Sequence, residues 1–255
     1  MRLMKLVTII LCFFQVAVSM AADTTVIFEA GFGTKGQVWD PVIALLPNNV
    51  KVINETRSSL MTPDAEPTTL AQDVAAMQKR IKQASQNGNV IVVGHSYGGL
   101  VATQTLKNSV SEIDGMVLIE PTTLVHRLRF KALDEERVVA DDVVIAKYMP
   151  PHLQAQYQRL TDTLDQAQEA LIPLPAALPT ILFTSTKIYE KPMFIEETQK
   201  GKALWLQLHN ALFQQVETGQ HIRSNKWGHS VHIEAPEEVA QAIMKVVEMS
   251  AAKEK

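Results

Sequence analysis

"VIVVGHSYGGLVA", residues 90–102, sets a serine between glycines where an apolar run stops and a helix-competent run begins. Gly-x-Ser-x-Gly arises by accident in about one chain in ten of this length at average Gly and Ser frequencies, so the surroundings must give it meaning. Here "NVIVV" (89–93) reads as a buried strand and "LVATQTL" (100–106) as a helix. A serine on a sharp strand-to-helix turn needs very small neighbours, which Gly94 and Gly98 supply. Such a turn projects Ser96 Oγ into the open. It also aims the backbone N–H of Tyr97, at the helix start, toward a developing oxyanion.

Further apolar runs repeat the strand signal along the chain: "TTVIFE" (24–29), "VKVIN" (50–54), "DGMVLIE" (114–120), "PTILFTS" (179–185) and "QHIRSN" (220–225). Between them Leu70, Val74, Met77 and Ile81 trace one face of a helix, and "ALWLQLHNALFQQVETG" (203–219) reads as another, stopped by Gly219. Pro236 opens a last helix with Glu237 and Glu238 in its first turn, where acidic groups suit the dipole. Strands alternating with helices predict an α/β fold, a mostly parallel sheet of about six strands covered on both faces. "FEAGFG" (28–33) ends the first of these strands, and the N–H of Phe32 is the natural second oxyanion donor.

The alternation breaks once. Residues 122–178 form a long interval with apolar residues at helical spacing, Val138, Val139, Val143 and Val144, then Leu153, Tyr157, Leu160 and Leu164. This segment reads as a small helical cap over one sheet edge, closed by "IPLPAALP" (172–179), in which Leu124, Tyr148 and Met149 either line an apolar pocket or simply pack a helix pair.

At the N-terminus, Arg2 and Lys5 precede an apolar run from Leu6 to Val18 and small residues from Ser19 to Ala22. Those three parts predict a secretory signal peptide over 1–22, cleaved after Ala21 or Ala22, and one domain over 23–255 that is secreted or periplasmic. The apolar run is short for a membrane span, so no stable membrane insertion is expected after cleavage. Cys12 is the only cysteine and falls inside the leader, which leaves the mature chain no thiol chemistry. Losing Arg2 and Lys5 takes the formal charge from −3 to −5. Mild acidity without a basic run argues against nucleic acid or an anionic membrane as partner.

With these residues in hand the chain resembles the α/β-hydrolase superfamily, in particular small serine hydrolases with Gly-His-Ser-x-Gly-Gly. "VIFEAGFGTKGQVWDPV" (26–42) is similar to the oxyanion strand and loop, "VIVVGHSYGGLVA" to the nucleophile elbow, "IDGMVLIEP" (113–121) to the strand that follows, and "GHSVHIEAPEEVAQAI" (228–243) to the histidine loop and last helix. The resemblance implies a sheet without the two leading strands of larger members, about six of the usual eight. "INETRSSLMTP" (53–63) also departs from the usual Asp-Arg-x-Gly-x-Gly-x-Ser.

A serine hydroxyl needs a base, and histidine titrates in the right range. Of seven histidines, His229 follows Gly228 in the loop where the resemblance puts the hydrolase base, with His232 the alternative. "HSVH" with Glu234 lacks the helical His-x-x-x-His spacing of a metal site, so neither metal nor other cofactor is expected. The order Ser, acid, His leaves two acids. Glu120 directly follows an apolar strand, and in the subgroup this chain resembles an acid commonly stands there. Glu190, a few residues after "ILFTS", lies near the position most superfamily members use. Asp114 is at the wrong end of its strand. These residues predict an exported serine esterase acting on a small-molecule ester, with Ser96, His229 and Glu120 as triad and Phe32 and Tyr97 as oxyanion hole. A lactonase or C–C hydrolase with the same triad, or a catalytically silent binding protein on this fold, is the alternative.

Overall fold

The computed structural model describes residues 23–62, 64–167 and 171–252. The expected leader, 1–22 with Cys12, lies outside the described residues. The strands are β1 (Thr24–Glu29), β2 (Lys51–Asn54), β3 (Asn89–His95), β4 (Gly115–Ile119), β5 (Thr180–Ser185) and β6 (Gly219–Ser224). They form one sheet of order β2-β1-β3-β4-β5-β6 in which every pairing is parallel. The helices are α1 (Asp40–Ile43), α2 (Leu70–Ser85), α3 (Tyr97–Ser109), α4 (His126–Tyr148), α5 (Pro151–Asp165), α6 (Gln199–Phe213), α7 (Val231–Glu234) and α8 (Pro236–Ala251).

Period-two alternation explains why the strand runs are apolar throughout. Val26, Phe28, Ile91, Val93, Val117, Ile119, Ile181 and Phe183 face one side, where they pack with Val239, Ile243 and Val246 of α8. Ile27, Val90, Val92, Met116, Leu118 and Leu182 face the other, against Met77 and Ile81 of α2 and Leu100 and Val101 of α3. Each such fully buried side chain contributes about 1.5–3 kcal/mol relative to exposure. At its start α2 carries a reciprocal cap, with Thr69 and Gln72 bonding each other's backbone N–H, which the periodicity alone did not reveal.

The sixth strand corrects one expectation. Helix α6 ends at Phe213, and Gly219 opens β6 instead of stopping the helix. A Cβ at Gly219 would run into the Thr180 carbonyl of β5, so the glycine serves close strand pairing.

From the central strand β1 the chain steps out to the edge strand β2 and returns to β3 on the other side of β1. That reversal opens a crevice beyond the carboxyl ends of β1 and β3, the place where open parallel sheets bind ligands. Ala30–Phe32 follows β1 there and Ser96 follows β3.

Candidate active site

Strand β3 runs directly into Ser96, whose backbone is left-handed at φ 52° and ψ −120°. A non-glycine residue held there costs about 1–3 kcal/mol and persists only where its surroundings fix it. They do so through hydrogen bonds on both sides. Ser96 N–H donates to Ile119 O at 3.0 Å, and Ser96 O accepts from Gly99 N–H at 2.9 Å and Thr122 N–H at 3.0 Å. The crowding inferred from the glycines is present: a Cβ on Gly94 would lie 2.7 Å from Gly98 O, and one on Gly98 would strike the Glu29 carbonyl. Ser96 is partly exposed, and its Oγ makes no hydrogen bond with another described residue. As the first residue of α3, Tyr97 has no carbonyl one turn back to take its N–H.

The loop after β1 is held from below by Arg57. Its guanidinium donates to Glu29 Oε1 at 2.6 Å, to Ala30 O at 2.8 Å and to Gly31 O, and it lies 5.1 Å from the centre of the Tyr97 ring. Arg80 reaches the other Glu29 oxygen at 2.6 Å, so a carboxylate only 1% exposed has two cations. The Tyr97 hydroxyl donates to Asp73 at 2.6 Å, and burial raises that carboxyl's pKa despite the bond. The N–H of Phe32 is bonded to no described residue, while its ring packs edge-on against Tyr97 and Tyr157. Arg57 belongs to the atypical "INETRSSLMTP" stretch, to which the sequence alone attached no role.

Glu120 stands just past β4 on the same sheet edge, fully buried and also left-handed at φ 48°. Its Oε1 accepts the Ser185 N–H at 2.5 Å and its Oε2 lies 3.3 Å from His229 Nδ1 and 3.6 Å from Lys202 Nζ. Burial alone would raise its pKa. The His229 hydrogen bond and the Lys202 charge outweigh it and hold the carboxyl below its usual value. For His229, partial burial opposes the charged form, but the bond to Glu120 and the charges of Glu120 and Glu196 raise its pKa. The imidazole remains 42% exposed, open to an incoming molecule.

Three contacts fix the loop that carries His229. Ser185 Oγ donates to Trp227 O at 2.8 Å, Gly228 N–H donates to Glu234 Oε1 at 2.9 Å, and His95 Nε2 lies 3.0 Å from His229 O. His95 thus ties the serine turn to the histidine loop, a role that adjacency in sequence hid. His232, the alternative base, is 1% exposed between His95 and Trp39. Glu190 is exposed and pairs with no histidine among the described residues. Asp114 accepts the Val90 N–H at 2.7 Å at the opposite sheet edge.

Residues 122–178 supply α4 and α5. Helix α4 is kinked at Asp134 (φ −164°, ψ 92°), whose carboxylate caps the Arg137 N–H of the second half. Arg127 joins the two helices by pairing with Asp142 at 2.7 Å and Asp165 at 2.8 Å, and Tyr157 OH donates to Asp142 at 2.7 Å. Together with the segment 189–197 they enclose a cavity of about 340 Å³ beside His229. Its apolar wall is Phe130, Val138, Ile145, Phe194 and Ile195. Leu124, Tyr148 and Met149 do not line it, which corrects that expectation: Tyr148 is 77% exposed and Leu124 borders a separate surface groove. Lys202 and Glu196 face the cavity with His229. Neither was legible beforehand, because one sits in the first turn of α6 and the other in a short 3-10 turn. Among the described residues no group of three or more His, Cys, Asp or Glu could hold a metal ion, and no helix is long and apolar enough to cross a membrane.

A parallel sheet with a strained serine turn, a buried carboxylate and a histidine on one edge defines a hydrolase of the α/β class. The sequence profile of the alpha/beta hydrolase family matches residues 26–242, and the chain belongs to that family. It is 24% identical over 228 residues to the uncharacterized protein YqjL of Bacillus subtilis, covering 89% of this chain and 84% of that one. Among solved structures, a thermophilic esterase from Thermogutta terrifontis shares the fold at TM-score 0.63 and 15% identity, over 91% of this chain and 92% of its own. A serine hydrolase involved in carbazole degradation shares it at TM-score 0.56 and 16% identity, over 89% and 92%.

Proposed function

We propose that this hydrolase is an exported serine hydrolase cleaving a carboxylic ester or related acyl bond of a small molecule through Ser96, His229 and Glu120, without a cofactor. The observation that carries the reading is the buried Glu120 carboxylate 3.3 Å from His229 Nδ1, on the sheet edge where Ser96 holds its strained turn. With Nδ1–H turned to Glu120, the His229 lone pair sits on Nε2, free to take the Ser96 proton. Ser96 Oγ attacks the carbonyl carbon, and the N–H groups of Phe32 and Tyr97 receive the oxyanion. Collapse expels the alcohol, which takes the proton from His229 Nε2. A water, deprotonated by the same nitrogen, then attacks the acyl-serine, releases the acid and restores Ser96. Glu120 orients the ring and stabilises the imidazolium in both halves.

The cavity of about 340 Å³ beside His229 is at the small end of the ordinary ligand range, about 300–1,000 Å³, and suits a small-molecule substrate. Hydrolysis of p-nitrophenyl esters across acyl lengths, with Ser96→Ala, Glu120→Gln and Glu190→Gln beside the wild type, tests the reading. Loss with the first two alone supports it. Equal fluorophosphonate labelling after Ser96→Ala, or no turnover by the wild type, sinks it in favour of a silent binder. Export is tested separately by N-terminal sequencing of the periplasmic or secreted product, expected to begin at Ala22 or Asp23.

A further inference from the structure

Behind Glu120 lies a row of polar side chains that the proposed chemistry does not use. His209 of α6 is fully buried, and its Nε2 lies 2.9 Å from the Pro121 carbonyl oxygen. Its Nδ1 lies 2.6 Å from the hydroxyl of Thr184 on β5, also fully buried. That hydroxyl lies 2.7 Å from Nε2 of His221 on β6. His221 Nδ1 in turn meets the exposed Arg223, Nε at 3.3 Å and Nη2 at 3.2 Å.

The protons on this row follow from which atoms can donate and accept, together with the neutrality that burial imposes on the two rings. A carbonyl oxygen only accepts, so His209 Nε2 carries a hydrogen and donates it. Burial holds the His209 pKa down to about 4, against the pull of Glu120, so the ring is neutral and its Nδ1 accepts. Thr184 therefore donates to His209, and its oxygen accepts from His221 Nε2–H. His221, held down to about 3 by burial and Arg223, is neutral and accepts at Nδ1 from the guanidinium. Every group has one role and the row runs one way, from Arg223 through His221, Thr184 and His209 to Pro121. Reversing any link would leave a buried donor facing a donor.

The terminus of the row is what gives it meaning. Glu120, Pro121 and Thr122 make a turn in which Glu120 N–H donates to Phe183 O at 3.0 Å and Thr122 N–H donates to Ser96 O at 3.0 Å. The Pro121 carbonyl is a further polar group of that turn, and His209 holds it. The turn carries a left-handed acid on one side and touches the serine turn on the other. We infer that Thr184 and His209 are positioning residues, which lock the 120–122 turn and so hold the Glu120 carboxylate on His229. This rests on the triad reading above. Trp205 packs on His209 at 4.7 Å, and the charged or titratable groups around it are Glu120, Lys202, His229, His126 and His221.

The test uses Thr184→Val, which keeps the shape and removes the hydroxyl, and Thr184→Ser, which keeps the hydroxyl. Thr184→Val is expected to lower kcat by roughly 10- to 100-fold with KM unchanged, since a displaced catalytic group costs up to about 100-fold. It should also move the acid limb of the kcat/KM profile to lower pH, because a withdrawn Glu120 no longer raises the His229 pKa. Thr184→Ser should restore both. Nitrogen-15 spectra of histidine-labelled wild type should show His209 and His221 as neutral Nε2–H tautomers. A Thr184→Val protein that melts earlier but keeps its kcat and acid limb, or a His209 found as the Nδ1–H tautomer, overturns the inference and leaves the triad standing. A wild type whose turnover survives Ser96→Ala overturns both.

Discussion

Ser96 and Glu120, which end neighbouring strands, are the two non-glycine residues with left-handed backbones among the described residues, at φ 52° and 48°. Their strain is linked, since Ser96 N–H bonds Ile119 O and Thr122 N–H bonds Ser96 O. Strain of about 1–3 kcal/mol at Ser96 is only partly offset by the extra chain entropy of glycine, about 0.5–1 kcal/mol. Ser96→Gly should therefore unfold later than Ser96→Ala, by about 1 kcal/mol or roughly 2–4 °C, in a thermal melt of two equally inactive proteins. Equal melting temperatures would show that the turn is unstrained.

Lys202 and Glu120 should push the acid limb of activity in opposite directions. His229 must be neutral to act as base, so the limb follows its pKa, which Glu120 raises and Lys202 lowers. Glu120→Gln should shift the limb to lower pH and cut kcat at least tenfold. Lys202→Met should shift it to higher pH, with a smaller loss at the pH optimum. A kcat/KM profile of both variants reads the two signs at once, and shifts in the same direction would refute the arrangement.

Arg57 pins the loop that carries Phe32 N–H while neutralising the buried Glu29. Removing one partner of a buried ion pair costs about 3–5 kcal/mol, and Arg80 remains to soften that here. Arg57→Met should lose about 2–3 kcal/mol in urea unfolding and drop kcat more than it raises KM. Arg57→Lys should rescue little, because one ammonium cannot span Glu29, Ala30 and Gly31.

Gly98→Ala should fail to give a folded, active protein, since its methyl would collide with the Glu29 carbonyl and approach Ala30 O at 2.6 Å. Gly33→Ala meets only Leu153 Cδ1 at 3.5 Å, although at φ 65°, and should cost about 1 kcal/mol. Soluble yield and circular dichroism of the two variants separate a packing requirement from a conformational one.

Sheet composition was legible in the sequence because strands buried on both faces are apolar at every position, as in Val90–Val93 and Met116–Ile119. The serine turn was legible because its small residues Gly94, Gly98 and Gly99 stand together in the sequence, although the groups that crowd Gly98 and Gly99 come from β1 and from Pro121. Choosing Glu120 over Glu190 was harder. That choice depends on Ser185 N–H and Lys202, which lie 65 and about 80 residues further along and announce nothing by their own neighbours. Gly219 misled because glycine ends helices and also permits strands to crowd, and only the position of Thr180 distinguishes the two.

Ser185 gives its N–H to the Glu120 carboxylate and its hydroxyl to the Trp227 carbonyl. The end of β5, near which most members of this superfamily keep their acid, is here a socket for a carboxylate arriving from β4. An aspartate placed at 185 would face Glu120 across a dry contact, and one of the two would have to stay protonated. A carboxylate at 185 and the Glu120 carboxylate could therefore not both be ionised on this sheet edge.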